Sequence, residues 1–165
     1  MRRTFSEMSK EFSDHWKHYV FQCLLASFSV FLIVIVMGLD HQVMTASLGA
    51  TAFIVFALPE KVTAQPQNVI GGHAVGIICG HFGSVLLEII PGMTVTEHAL
   101  GVGLAVGLAI FVMVVVDMEH PPAAGTAFGI VTSGATLPVV REVLFFAIVL
   151  SVIHGVLRKH LHDLT

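Results

Sequence analysis

Charged residues punctuate this chain rather than cover it. After Lys17 the next charge is Asp40, and none lies between Asp40 and Glu60 or between Lys61 and Glu88. The gaps continue from Glu97 to Asp117, from Glu119 to Arg141 and from Glu142 to Arg158. Six low-charge blocks with short charged stretches between them predict a polytopic helical membrane protein. Residues 20–39 and 69–90 are long enough to cross a bilayer, and 99–116 suffices. Residues 143–157 reach span length if Arg141 and Lys159 snorkel at the ends. The other two blocks are short: 43–58, rich in Ala, Ser, Thr and Gly, and 123–132, interrupted by Ser133-Gly134. Both read as half-helices or re-entrant pieces.

The short blocks resemble each other. "GATAF" at 49–53 aligns with "AGTAF" at 124–128. An acid-His pair precedes each (Asp40-His41, Glu119-His120), and a Leu-Pro pair follows each (Leu58-Pro59, Leu137-Pro138). The outer landmarks are offset by 79 residues and the inner one by 75. The fold expected is an all-α membrane protein, a helical bundle of two repeats of long helix, short broken or re-entrant segment, long helix. Paired interrupted segments in corresponding halves point to a transporter's substrate site.

Before the first block, Phe5, Met8, Phe12, Trp16 and Tyr19 recur every three or four positions. Residues 1–19 therefore read as an amphipathic helix in the membrane interface, followed by a transmembrane domain over 20–160 and a cytoplasmic tail over 161–165. Glu7, Glu11 and Asp14 argue against a transit peptide, and the first apolar block is too long for a signal h-region. Arg2, Arg3, Lys10 and Lys17 precede the first span, and Arg158 and Lys159 follow the last. Both ends are thus expected in the cytoplasm, with an even number of crossings, most simply in a bacterial inner membrane.

Composition agrees, with 55% hydrophobic residues, 12% charged and a mean hydropathy of +0.88. A net charge of −3 without a basic stripe gives nucleic acid no foothold. Cys23 and Cys79 sit inside apolar blocks as separate thiols. His15/His18 and His160/His162 lack the partners of a metal motif, and no nucleophile elbow, P-loop or dinucleotide fingerprint occurs. Neither an enzyme, a cofactor nor a resident metal is expected.

The chemistry concentrates at "DMEHPPAAGT", residues 117–126. Pro121-Pro122 suit the first turn of a short helix, with His120 just before it. The N–H groups of Ala123, Ala124 and Gly125, with the Thr126 hydroxyl, would then face an ion at the positive end of the helix dipole. Thr45, Ser47 and Gly49 offer a second set by the repeat, and His73 is an intramembrane ionisable group, functional by default. His81, Ser84 and Glu88 share its helix arc. His120 can carry a proton near neutral pH, whereas Asp117 and Glu119 repel an anion unless they point to water or hold His120 protonated. The alternatives are a proton or cation carrier using Asp117, Glu119 and His120, and a non-transporting scaffold or sensor subunit. Gly72, Gly76 and Gly80, like Gly103 and Gly107, form small-residue ridges that predict contacts between subunits of a homo-oligomer.

"TASLGATAF", "AQPQNVIGGH" (64–73) and "HPPAAGTA" (120–127), in this order, resemble the HPP family of small integral membrane proteins. The resemblance covers residue 46 to the last helix. It implies a multispanning protein in the lipid bilayer. Plastid and cyanobacterial members are associated with nitrite transport, so a small inorganic anion of that kind is the substrate the resemblance implies. Asp117, Glu119 and the N-terminal amphipathic helix lie outside the matched pattern, and the cytoplasmic CBS domains of other members are not expected from these residues.

Overall fold

The computed structural model describes residues 4–38, 41–89 and 94–164, and among these every regular element is helical. In chain order they are α1 (Phe5–Met37), α2 (Gln42–Ala57), α3 (Pro66–Glu88), α4 (Val95–Val115), α5 (Pro122–Ser133) and α6 (Leu137–Leu157). Single 3-10 turns occupy Val62–Ala64 and Arg158–His160. Local chemistry sets the ends. Thr4 with Glu7, and Thr94 with Glu97, form reciprocal capping boxes ahead of α1 and α4. A proline sits in the first turn of α3, α5 and α6, where its missing N–H removes no helix bond. α5 stops at Gly134, whose φ of 85° is left-handed and suits glycine.

The all-helical membrane architecture expected from the sequence is present. α1, α3, α4 and the segment Leu137–His160 are long and apolar enough to cross a membrane. Phe31, Phe82, Phe111 and Val152 stay exposed on these four helices, as side chains that face lipid do. α1 bends at His15 (φ −124°, ψ 16°), which sets an outer piece at an angle to the spanning part. Phe5, Met8 and Phe12 are exposed on that outer piece.

The short helices do not re-enter, and here the sequence-based preference is corrected. The Gln22 amide of α1 donates to the Phe56 carbonyl at the end of α2, Gly49 packs on Val30, and Met44 clusters with Ile33 and Met37. α2 therefore runs antiparallel to α1, and its two ends lie at opposite ends of the bundle. α5 runs parallel to α3, with Gly72 beside Ala123, Gly80 beside Ile130 and Gly83 beside Val131. With 16 and 12 residues, α2 and α5 extend roughly 24 and 18 Å at 1.5 Å per residue, short of a hydrocarbon core of about 30 Å. Judged by length alone, neither can cross. Each is nevertheless packed along its length against longer helices, α2 against α1 and α6 and α5 against α3 and α4, so it traverses the interior without spanning the full thickness by itself. Irregular backbone at such depth is tolerated where protein buries it.

Alternate traverses bring the two chain ends together. The Tyr19 hydroxyl donates to the Leu164 carbonyl (3.0 Å), and the Gln22 amide pairs with the His162 backbone at 2.9 and 3.2 Å. Leu161 is buried against α2 and α6, and Lys61 pairs with Asp163 at 3.0 Å. Residues 161–164, expected as a tail, are thus packed into one end of the bundle. Asp40, part of the first acid-His pair, and Ile90 lie outside the described residues.

The traverse of α2 has a direct test. Single cysteines at Gln42 and at Lys61, in a background lacking Cys23 and Cys79, should label from opposite sides of the membrane. Labelling of both from one side would restore a re-entrant α2.

Candidate functional site: a buried histidine pair

Three glycines decide how closely α5 approaches α3. A Cβ at Gly72 would lie 2.6 Å from the His120 Cβ, one at Gly76 2.5 Å from the Ala123 carbonyl oxygen, and one at Gly80 2.7 Å from that of Ala127. Real Cβ atoms do not tolerate such separations, so the helices meet backbone to backbone. The ridge expected to join subunits is instead an internal seam. Its correction removes that argument for a homo-oligomer. Gly103 and Gly107 on α4 face open space.

Close approach of α5 delivers His120 and Thr126 to the face of α3 that carries His73. The imidazole centroids of His73 and His120 are 5.1 Å apart, and both side chains are fully buried. Thr51 of α2 lies between them, with its Oγ1 2.9 Å from His73 Nε2 and 3.0 Å from His120 Nε2. On the far side of His73, Nδ1 is 2.8 Å from Thr126 Oγ1. That hydroxyl is 2.9 Å from Ser47 Oγ, which donates to the Pro122 carbonyl at 2.6 Å. The His120 Nδ1–H donates to the Thr63 carbonyl (2.8 Å) in the connection before α3. Five side chains, four from α2, α3 and α5 and His120 from the connection into α5, thus form one continuous hydrogen-bonded chain.

Asn68 fixes the connection that carries His120. It is fully buried, and in the amide orientation that satisfies both ends it donates to the Val62 carbonyl (3.3 Å) and accepts the Glu119 N–H (3.2 Å). Asp117 takes the turn out of α4 at a φ of 58°, which Asp tolerates better than most residues. It is exposed, and Glu119 is half-buried. Neither carboxylate pairs with His120, whose ring nitrogens bond to Thr63 and Thr51.

Of the residues singled out in the sequence, His73, His120, Ser47 and Thr126 come together. Ala123 is buried in the α3–α4–α5 packing. Its N–H donates to the His120 carbonyl (2.9 Å) and the Ala124 N–H to that of Pro121 (3.1 Å), so two of the three donors expected to be free are engaged. Ala124, with His120, Pro121, Glu119 and Met113, lines a hollow of about 270 Å³ between α4 and α5. Gly125 packs against Ser47, with a hypothetical Cβ at 3.3 Å. Gly49 faces Val30 of α1, away from the cluster. Thr45 is half-buried with a partnerless hydroxyl. His81 and Glu88 are exposed.

The sequence reading missed Thr51, Asn68 and the Thr63 carbonyl. Thr51 had a signal, since the 75-residue offset that aligns "GATAF" with "AGTAF" makes it the counterpart of Thr126. No group of three or more His, Cys, Asp or Glu side chains among the described residues is arranged to hold a metal ion.

The family model described as "HPP, transmembrane region" matches residues 12–162. A transmembrane protein of Dictyostelium discoideum is 34% identical over 109 residues, 62% of this chain and 37% of that protein. A second from the same organism is 32% identical over 108 residues, 60% of this chain and 33% of that one. The matched stretch spans about a third of each of these relatives. Both come from a eukaryote, so they lend nothing to the bacterial location expected above. No solved structure matches the chain.

Proposed function

The chain belongs to the HPP family of integral membrane proteins, and from that premise we propose that it transports a small inorganic anion across the bilayer, nitrite being the first candidate. The observation that carries the proposal is a buried cluster of two imidazoles, three hydroxyls and a primary amide that includes no carboxylate. Structure alone rarely requires two histidines within an apolar bundle, and intramembrane ionisable groups default to function. A cation carrier holds its ion with carboxylate or carbonyl oxygens. Here every described Asp and Glu lies outside the fully buried set. An anion approaching through the hollow at Ala124 meets the first turn of α5, whose dipole is positive at that end, with His120 beside it. The nitrite preference comes from the family resemblance, and orientation with the Tyr19–Leu164 end in the cytoplasm comes from the Lys/Arg count.

Flux into proteoliposomes tests this. Nitrite should enter protein-containing vesicles faster than empty ones, while sodium and potassium should not. If only a cation moves, the carrier using Asp117, Glu119 and His120 replaces this proposal. If neither moves, a scaffold role replaces it.

A further inference from the structure

The hydrogen-bonded chain begins and ends on backbone carbonyls, which only accept. From the Pro122 carbonyl it passes through Ser47, Thr126, His73, Thr51 and His120 to the Thr63 carbonyl, making six contacts. Each contact needs one hydrogen. Each hydroxyl supplies one, and each neutral imidazole supplies one. Five side chains therefore bring five protons to six contacts.

Donor roles can be assigned from both ends. Ser47 must donate to Pro122, so Thr126 donates to Ser47, His73 Nδ1–H donates to Thr126, and Thr51 donates to His73 Nε2. From the other end, His120 Nδ1–H must donate to Thr63, which leaves a bare lone pair on its Nε2. That lone pair faces the Thr51 oxygen at 3.0 Å with no hydrogen between them. The Ser47 carbonyl, 3.1 Å from Thr51 Oγ1, competes for the Thr51 proton and deepens the deficit.

We propose that this chain is a proton-binding site that loads one proton together with the anion, making transport an electroneutral symport. The inference rests on the anion reading above and adds the co-substrate. A proton from water, placed on His120 Nε2, closes the sixth contact and leaves an imidazolium at His120. If Thr51 passes its hydroxyl proton to His73 Nε2 and takes the proton from His120 Nε2 in its place, all six contacts are again satisfied and the imidazolium is His73. Two proton hops across Thr51 interconvert the forms, and no atom or charge is lost. A lone positive charge in an apolar bundle is costly, so the proton is held when an anion in the adjoining hollow offsets it. Anion and proton then enter as a pair with no net charge.

The surroundings leave this charge to the histidines. Ser47 and Thr51 face them from α2, Asn68 from α3 and Thr126 from α5, all uncharged. α4 meets α5 through Ala109 and Met113, and α6 meets α2 through apolar side chains. On the adjoining connections, Glu119 is half-buried at the hollow, Asp117 is exposed, Lys61 pairs with Asp163, and His154 bonds to the Pro59 carbonyl.

Calorimetric titration of the purified full chain with sodium nitrite, in buffers of different ionisation enthalpy, counts protons taken up per anion bound. The parent should take up about one, Thr51→Ser about one, and Thr51→Val close to zero. Nitrite binding by the parent with no proton uptake overturns the symport and leaves the anion reading standing. No nitrite binding in folded parent protein overturns both. Uptake of a proton by Thr51→Val equal to the parent's overturns the role of this chain.

Discussion

Gly76→Leu should leave almost no folded protein to purify, and Gly76→Ala should already lower the melting temperature clearly. The position allows no side chain, because a Cβ there would lie 2.5 Å from the Ala123 carbonyl oxygen and 3.4 Å from the Ala127 nitrogen. Both are helix backbone, so relief comes only from moving α5 off α3. Overpacking of that kind costs about 1–3 kcal/mol even where flexible side chains can adjust. Movement of α5 also stretches the His73–Thr126 and Ser47–Pro122 bonds, and each buried polar group left unpaired costs about 1–3 kcal/mol more. Against a total stability of about 5–15 kcal/mol the combination is severe. Gly103→Ala is the control. A Cβ there meets nothing within 4 Å, so alanine should be neutral or stabilise the helix by about 0.5–1 kcal/mol. Thermal melts in detergent decide the matter, and a Gly76→Leu protein that melts with the parent would show that the seam is not tight.

His120→Gln should cut nitrite flux by ~100-fold, the scale at which a positioned proton-transfer group contributes. The replacement keeps an amide that can donate toward the Thr63 carbonyl, which limits the structural loss, but it cannot hold the extra proton. The protein should therefore still fold and purify, unlike Gly76→Leu, while flux collapses. Asp117→Asn should transport like the parent, because Asp117 is exposed and Asn accepts its left-handed backbone readily. The opposite pattern, with flux lost in Asp117→Asn and kept in His120→Gln, would move the chemistry from the histidines to the acids. Flux and melting curves on the same preparations separate these outcomes.

Charge spacing was enough to recognise a helical membrane protein, because desolvation of charge in lipid is the strongest constraint on such a sequence. The proline pair likewise located the start of α5, since Pro122 fits only a first turn. What spacing did not convey was depth. Block length measures whether a helix can cross lipid alone, and α2 and α5 never have to, since α1 and α6 flank the one and α3 and α4 the other. The glycine ridge shows the same gap: Gly72, Gly76 and Gly80 announce a close helix partner, but the identity of that partner depends on the tertiary arrangement. At the site, His73 and His120 stood out because ionisable groups are rare in such a chain. Thr51 did not, because its one signal, the repeat offset that pairs it with Thr126, names a counterpart in sequence and not its neighbours in space.

Gln22 sets a condition on how this protein is made. It sits in the first spanning helix, 1% exposed, and its amide is satisfied by the Phe56 and His162 backbone. The second of these partners lies 140 residues further along the chain. During synthesis α1 enters the bilayer long before residue 162 leaves the ribosome, so the amide waits half-satisfied in an apolar setting. Helices α1 and α2 can pair early, but the joint between them locks only when the last turns arrive. Truncation before α6 should therefore leave this amide short of a partner and loosen the α1–α2 pair.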